Sequence, residues 1–229
     1  KQKESDYEEG IVKEILTEED FDKDGVEVEL ETGYIGRVKE IIDTDNTESE
    51  ISQRIQQREN TTLEKKETFA YDIREEKRND ELKKVVCTAV ASMLNTQGGY
   101  VYVGVNDDGL PIGLERDFSL ITGGGNNDQL EIQIRASLNK YLSNYETVSH
   151  FIEITFPSVK GIEICEIKIK PSSEPIFLKT TIHPVLINNS NKDRHFDDFY
   201  IRDGNGKRLL ETHQEFLRYW RLRFGDNRN

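Results

Sequence analysis

Asn95-Thr96-Gln97-Gly98-Gly99-Tyr100-Val101-Tyr102-Val103-Gly104-Val105-Asn106-Asp107-Asp108-Gly109-Leu110-Pro111-Ile112-Gly113-Leu114 decides how this chain is read. A tight Gly-Gly entry leads into an alternating strand, which ends on an acidic turn and a second glycine exit. Just upstream, Leu82, Val85, Val86, Ala89, Val90, Met93 and Leu94 recur at helical spacing and predict an amphipathic helix over 82–94. Helix, turn and strand thus deliver Asp107 and Asp108 to a strand end. There a scaffold can present carboxylates to a substrate or a metal.

Downstream, Gly123-Gly124-Gly125-Asn126-Asn127 predicts a flexible loop. No strand leads into it and no Lys-Ser/Thr follows, so it lacks the pattern of a phosphate-binding P-loop. Leu130, Ile132, Ile134, Leu138, Tyr141 and Leu142 predict a second helix over 130–141. Residues 151–156 and 161–169 alternate as strands and predict a hairpin across Pro157-Ser158-Val159-Lys160, with further strands at 176–179 and 199–202. Thr212 with Glu215 three residues on is a capping-box pattern opening a last helix over 212–224. The order β–α–β–α–β–β–β–β–α is that of an α+β domain, a mixed sheet with flanking helices.

The beginning of the chain reads differently. Gly10-Ile11-Val12, Val26-Glu27-Val28-Glu29-Leu30 and Tyr34-Ile35-Gly36-Arg37-Val38 are short strands joined by turns at Asp24-Gly25 and Thr32-Gly33. They predict a small all-β domain within residues 1–45, barrel-like or a curled sheet. A polar linker follows over 46–58, with 51–58 a short helix or strand lead-in, and the main domain covers 59–229.

At 229 residues the chain can bury a sizeable core. No run approaches the roughly 18 apolar residues of a membrane span, and no secretory signal is visible. Its opening on Lys1 predicts that it begins inside a longer product. Cys87 and Cys165 fall in apolar segments and are predicted as buried thiols, which fits a reducing cytoplasm.

The net charge of -13 argues against a nucleic-acid partner until it is divided. Residues 1–58 hold 18 acidic and 8 basic side chains, whereas 59–229 hold 26 and 23. The main domain is therefore nearly balanced. Its bases cluster as Lys65, Lys66, Arg74, Lys77, Arg78, Lys83 and Lys84, then Lys207, Arg208, Arg218, Arg221 and Arg223. Such clusters form a basic face or a merely solvated surface.

Four ordered blocks resemble the Schlafen AlbA-like domain over about residues 59–212. The Asn95–Leu114 run matches that family's Asn-Thr-x-Gly-Gly signature at every fixed position. Thr62-Leu63-Glu64-Lys65-Lys66 resembles its Leu-Glu-Phe-Lys strand, with Lys65 where an aromatic is usual. Lys170-Pro171 and Phe199-Tyr200-Ile201-Arg202-Asp203-Gly204-Asn205 resemble its closing blocks. The earlier segment, with Gly10-Ile11-Val12 and Gly33-x-x-Gly36-Arg37-Val38, is similar to the YwbE-like family, which implies a module without a settled role.

Some Schlafen members are metal-dependent endoribonucleases. The resemblance carries their catalytic and metal-holding carboxylates onto Glu59, Glu64 and Asp107, with Mg²⁺ or Mn²⁺ as the implied ion. Such an ion would neutralise a phosphate and activate a nucleophile, while Lys66, on the same strand face as Glu64, steadies developing charge. A structural reading stands beside it: Asp107-Asp108-Gly109 is an ordinary turn, and residues five apart on a straight strand face opposite ways. Arg202, Lys207 and Arg208 would grip phosphates, or Arg202 would pair with a core-edge carboxylate. Tyr100 and Tyr102 would stack bases or pack a sheet face. His150, His183, His195 and His213 share no metal-ligand spacing, and His195 beside Asp197 and Asp198 reads as a surface loop.

Three functions follow. The first is a nuclease acting on structured RNA such as tRNA, gripped by shape and phosphates. A second is a non-catalytic module binding RNA or DNA, and the third is a protein adaptor. The acidic beginning of the chain would serve a protein partner or cover the basic face, and homodimerisation would build one groove from two lobes.

Overall fold

The computed structural model describes residues 10–17, 26–38, 44–187 and 190–225 and divides the chain into two units, Lys1–Thr47 and Glu48–Asn229. In the first, β1 (Val12–Ile15), β2 (Glu27–Leu30) and β3 (Ile35–Arg37) pair antiparallel in the order β1-β2-β3. Alternation along β2 buries Val28 and Leu30. Among the described residues this sheet is open, the curled-sheet form rather than a closed barrel, and the predicted Asp24-Gly25 turn lies outside them.

The supposed linker is mostly helix. α1 (Thr44–Ile55) has a polar sequence with two anchors four residues apart, Ile51 and Ile55. Both are buried against Leu63, Tyr102, Val105, Val159 and Ile164. A stripe that narrow is one side chain per turn, below what a periodicity reading registers.

β4 (Leu63–Lys66) leads through a short ribbon of β5 (Tyr71–Asp72) and β6 (Lys77–Arg78) into α2 (Asp80–Leu94). Asn79 caps α2 by accepting the Glu81 N–H at 3.1 Å, and Asp80 and Glu81 suit the positive end of the helix dipole. The predicted apolar face is only part of the story. Cys87, Ala91 and Ser92 are buried as well, so the second half of α2 is enclosed almost all round, whereas Val85 is exposed.

β7 (Gly99–Val103) returns parallel to β4, with Leu63 opposite Tyr100. Here the Gly-Gly pair is required by space. A Cβ on Gly98 would lie 2.3 Å from the Ile169 carbonyl oxygen, and one on Gly99 2.3 Å from that of Thr62. Both residues also have positive φ, so no larger side chain fits.

After α3 (Glu115–Ser119), α4 (Asn127–Tyr141) and α5 (Tyr145–Val148) come β8 (Ile152–Thr155), the tiny ribbon β9 (Ser158–Val159) with β10 (Ile162–Glu163), and β11 (Cys165–Ile169). The predicted hairpin is the antiparallel β8–β11 pair, with the ribbon inside its connection. Together these strands make a mixed sheet of order β4-β7-β11-β8. Val101, Val103, Ile167 and Ile169 face α2 and α4 in the main core.

The segment expected as a surface loop is an antiparallel ribbon, β12 (Leu178–Ile187) with β13 (Ser190–Asp198). Pro184 is tolerated there because a two-stranded ribbon has free edges. β14 (Tyr200–Asp203), β15 (Gly206–Leu209) and α6 (His213–Arg223) complete the unit. Both bonds of the predicted capping box between Thr212 and Glu215 are present. Phe199, Ile201 and Leu210 pack with Phe216 and Tyr219 beneath α6.

Candidate nucleic-acid interface

Glu64 sits on β4 with its side chain turned towards the β14–β15 hairpin, and it is 3% exposed. Arg202 donates from Nη1 to its Oε2 at 2.6 Å, Lys207 Nζ reaches Oε1 at 2.8 Å, and Lys66 Nζ reaches Oε1 at 2.9 Å. Burial alone would raise the Glu64 pKa. Lys207 and Lys66 outweigh burial and hold the carboxyl at about 2, so it is ionised whenever the protein is folded near neutrality. Lys207 is itself pushed below the ordinary lysine range, first by burial and then by the neighbouring Lys66 and Arg202, against the pull of Glu64. The two shifts thus differ in cause: neighbouring cations lower Glu64 against burial, whereas burial is the main reason that Lys207 is lowered.

Glu59 joins this group from just before β4. Its Oε1 accepts the Lys65 N–H at 2.7 Å and lies 3.7 Å from Lys66 Nζ. Two glutamates five apart therefore do converge, on Lys66, because Glu59 precedes the strand instead of lying in it. Asp107 does not join them. It lies in the turn Asn106–Gly109, held by Asn106 Oδ1 accepting the Leu110 N–H, with its own side chain exposed.

A divalent ion fits this arrangement poorly. Both Glu64 oxygens already face cations, and hard metal ions need carboxylate oxygens left free to coordinate. Among the described residues no three of His, Cys, Asp and Glu lie together as a metal site. The expected set Glu59, Glu64 and Asp107 is thus not assembled as metal ligands.

Several predicted phosphate contacts have other duties. Lys65 is 2% exposed, and its ammonium donates to the carbonyls of Ile55, Gln57 and Asp107 at 3.2, 3.0 and 2.8 Å. It pins α1, β4 and the acidic turn together and is closed to a ligand. Arg202 is likewise buried, adding main-chain contacts to Asn60, Leu63 and Asn205, so the carboxylate-pairing reading holds for it. Lys83 is buried beside Asp80 at 3.0 Å and beneath the Phe69 ring. Lys77 pairs with Glu75, Arg78 with Asp80, and Arg208 with Asp203, all at the surface. Arg74 is exposed and Lys84 half-buried on α2. Arg223 caps the Thr96 and Ser172 carbonyls, while Arg218 and Arg221 remain outward.

The aromatic pair packs the sheet. Tyr102 is fully buried, donating its hydroxyl to Glu166 and accepting from Arg54 at 2.9 Å, and Arg54 also lies 3.9 Å over the half-buried Tyr100 ring. Cys87 and Cys165 are buried free thiols, and burial pushes Cys87 up to about 12. His150 is exposed against Phe151, and His213 is exposed at the start of α6. The backbones of His183 and His195 lie in β12 and β13; their side chains are outside the described residues.

Sequence reasoning missed two buried polar pins. Asn95, the first residue of the signature, bonds Ile176 through both side-chain atoms at 2.7 and 2.8 Å and donates to the Tyr200 carbonyl. Asp117 accepts the N–H groups of Phe69, Ala70 and Tyr71, and burial, opposed by those bonds, still raises its pKa. Their partners lie 46 to 105 residues away, so no local signal betrays them.

Residues 59–211 match the family described as Schlafen, AlbA_2. Residues 1–41 match a family described as an uncharacterized conserved protein, DUF2196, a description that does not carry the YwbE-like name. A crystal structure of the DIP2311 protein from Corynebacterium diphtheriae is 20% identical, with a TM-score of 0.45, over 72% of this chain and 25% of that one. The chain thus spans about a quarter of the length of that protein. No curated protein matches it. Among the described residues, no helix is long and apolar enough to cross a membrane.

Proposed function

Because the chain belongs to the Schlafen AlbA_2 family, which points to nucleic-acid binding, we propose that it binds structured RNA such as tRNA as a non-catalytic module. The observation that supports this reading is the surplus of cations around Glu64. Lys66 and Lys207 keep 25% and 19% of their side chains exposed, and both are held in place by a carboxylate that stays ionised. A phosphate arriving there relieves the repulsion among three cations and meets donors already oriented. Glu64 then serves as the counter-ion that makes burying those cations tolerable. Guidance by shape follows from phosphate contacts, which carry no base sequence directly.

The rival reading is the Mg²⁺- or Mn²⁺-dependent endoribonuclease, for which the convergence of Glu59 and Glu64 on one ammonium speaks. Labelled tRNA incubated with the full chain in Mg²⁺, Mn²⁺ or EDTA separates the two. A binding module leaves the RNA intact and shifted in all three. Metal-dependent fragments that disappear in Asp107→Ala would replace the module with the nuclease. Equal binding of duplex DNA would widen the ligand from RNA to nucleic acid generally.

A further inference from the structure

β8 is the terminal strand of the core sheet, and its outer side pairs with no strand among the described residues. The antiparallel register sets Glu153 opposite Lys168 and Thr155 opposite Glu166, and the Lys170 N–H donates to the Phe151 carbonyl at 2.8 Å. Phe151, Glu153 and Thr155 therefore spend their main-chain groups on β11, and Ile152 and Ile154 turn theirs to the free edge. The Ile152 N–H is taken by the Ser149 carbonyl. That leaves the Ile152 carbonyl and both main-chain groups of Ile154 for a guest.

A cleft of about 340 Å³ runs along this edge, lined by residues 151–154 together with Arg135, His150, Lys168 and Lys170. Those four come from α4, the turn before β8, β11 and the residue after it, and no sequence spacing links them. Lys170 has no acidic partner among the described residues. Lys168 is 3.6 Å from Glu153 with 45% of its side chain exposed, and Arg135 is held at 2.6 Å by Glu131.

We propose that this cleft takes an extended acidic peptide segment, which adds to β8 as a fifth strand. A peptide main chain offers the alternating donors and acceptors that a free sheet edge lacks, and alternate carboxylates meet Lys168 and Lys170 on the sheet face away from α4. A phosphodiester backbone would satisfy the cations but leave the Ile154 N–H and C=O without matched partners. The proposal is independent of the nucleic-acid reading, since none of these residues touches the Glu64 group.

Fluorescence anisotropy of a short labelled peptide alternating Glu with Val and Thr tests it on the full chain. Binding should weaken by about tenfold or more in Lys168→Glu/Lys170→Glu, whose exposed sites keep the fold intact by circular dichroism. Glu153→Gln, which removes the one carboxylate facing the guest in the cleft, should tighten binding severalfold. The same peptide with proline at alternate positions should bind poorly, because it lacks main-chain donors. Three results overturn the proposal: no binding of the acidic peptide, equal binding of the proline form, or no response to the lysine reversals. An oligouridine that binds through the same lysines and displaces the peptide also overturns it, making the cleft part of the nucleic-acid surface.

Discussion

The two edges of the core sheet carry similar charges in opposite circumstances. At β4, Glu64, Arg202, Lys207 and Lys66 are drawn inward and spent largely on one another. At β8, Lys168 and Lys170 stand in solvent beside a main-chain edge that nothing described completes. Burial makes the difference. A charge taken out of water must be paired and becomes part of the fold, whereas a solvated one costs little and stays available. The buried pair Glu64 and Arg202 at the first edge should therefore answer mutation through stability, and the partly exposed Lys66 and Lys207 beside them through ligand affinity as well. The second edge should answer through ligand affinity alone.

The largest expected effect is on Glu64→Ala, which strands the buried Arg202 and should lower unfolding free energy by about 3–5 kcal/mol in urea titrations. Lys170→Ala at the other edge should change it by less than about 0.5 kcal/mol. Similar losses at both sites would erase the contrast.

Acid comes next. The Glu64 pKa falls from an ordinary 4.5 to about 2 on folding, so its contribution is full above 4.5 and disappears as pH drops towards 2. That amounts to roughly 3 kcal/mol if the whole shift counts. Stability measured between those limits should drop in the parent chain, and the Glu64-dependent part of that slope should vanish in Glu64→Gln. An unchanged slope would mean that the carboxylate is not paired in solution.

A smaller loss, about 2 kcal/mol, is expected for Lys65→Met, which keeps the packing and removes the donor from the Ile55, Gln57 and Asp107 carbonyls. Thermal unfolding checks it, and a neutral outcome would show that α1 and the acidic turn are held by packing alone.

Much of the fold was legible because its signals are local. Gly98-Gly99 announced a tight entry turn, alternation announced β7, β8 and β11, and Thr212 with Glu215 announced α6. Beyond the short helix offered for 51–58, α1 was hidden because among its described side chains only Ile51 and Ile55 are buried. The β12–β13 ribbon was hidden because polar residues around Asn191 imitate a loop. Of the candidate site, the placing of Lys66 on the same strand face as Glu64 was readable from alternation, whereas the approach of Glu59 was not, because it depends on where β4 begins. The fates of Lys65 and Arg202 were not, because burial depends on what packs above a strand. Charge clusters in sequence therefore named the cations that meet at Glu64 but could not separate the buried ones from those left partly exposed.

The most direct measurement is tRNA affinity against salt, in EDTA, for the parent chain, Lys66→Ala and Lys207→Ala. The account predicts binding without any divalent ion, and a slope of log affinity against log salt that falls by about 0.7–0.9 for each lysine removed. Binding that needs Mg²⁺, or a slope indifferent to both lysines, would contradict the claim that this cation-rich cluster holds nucleic-acid phosphate.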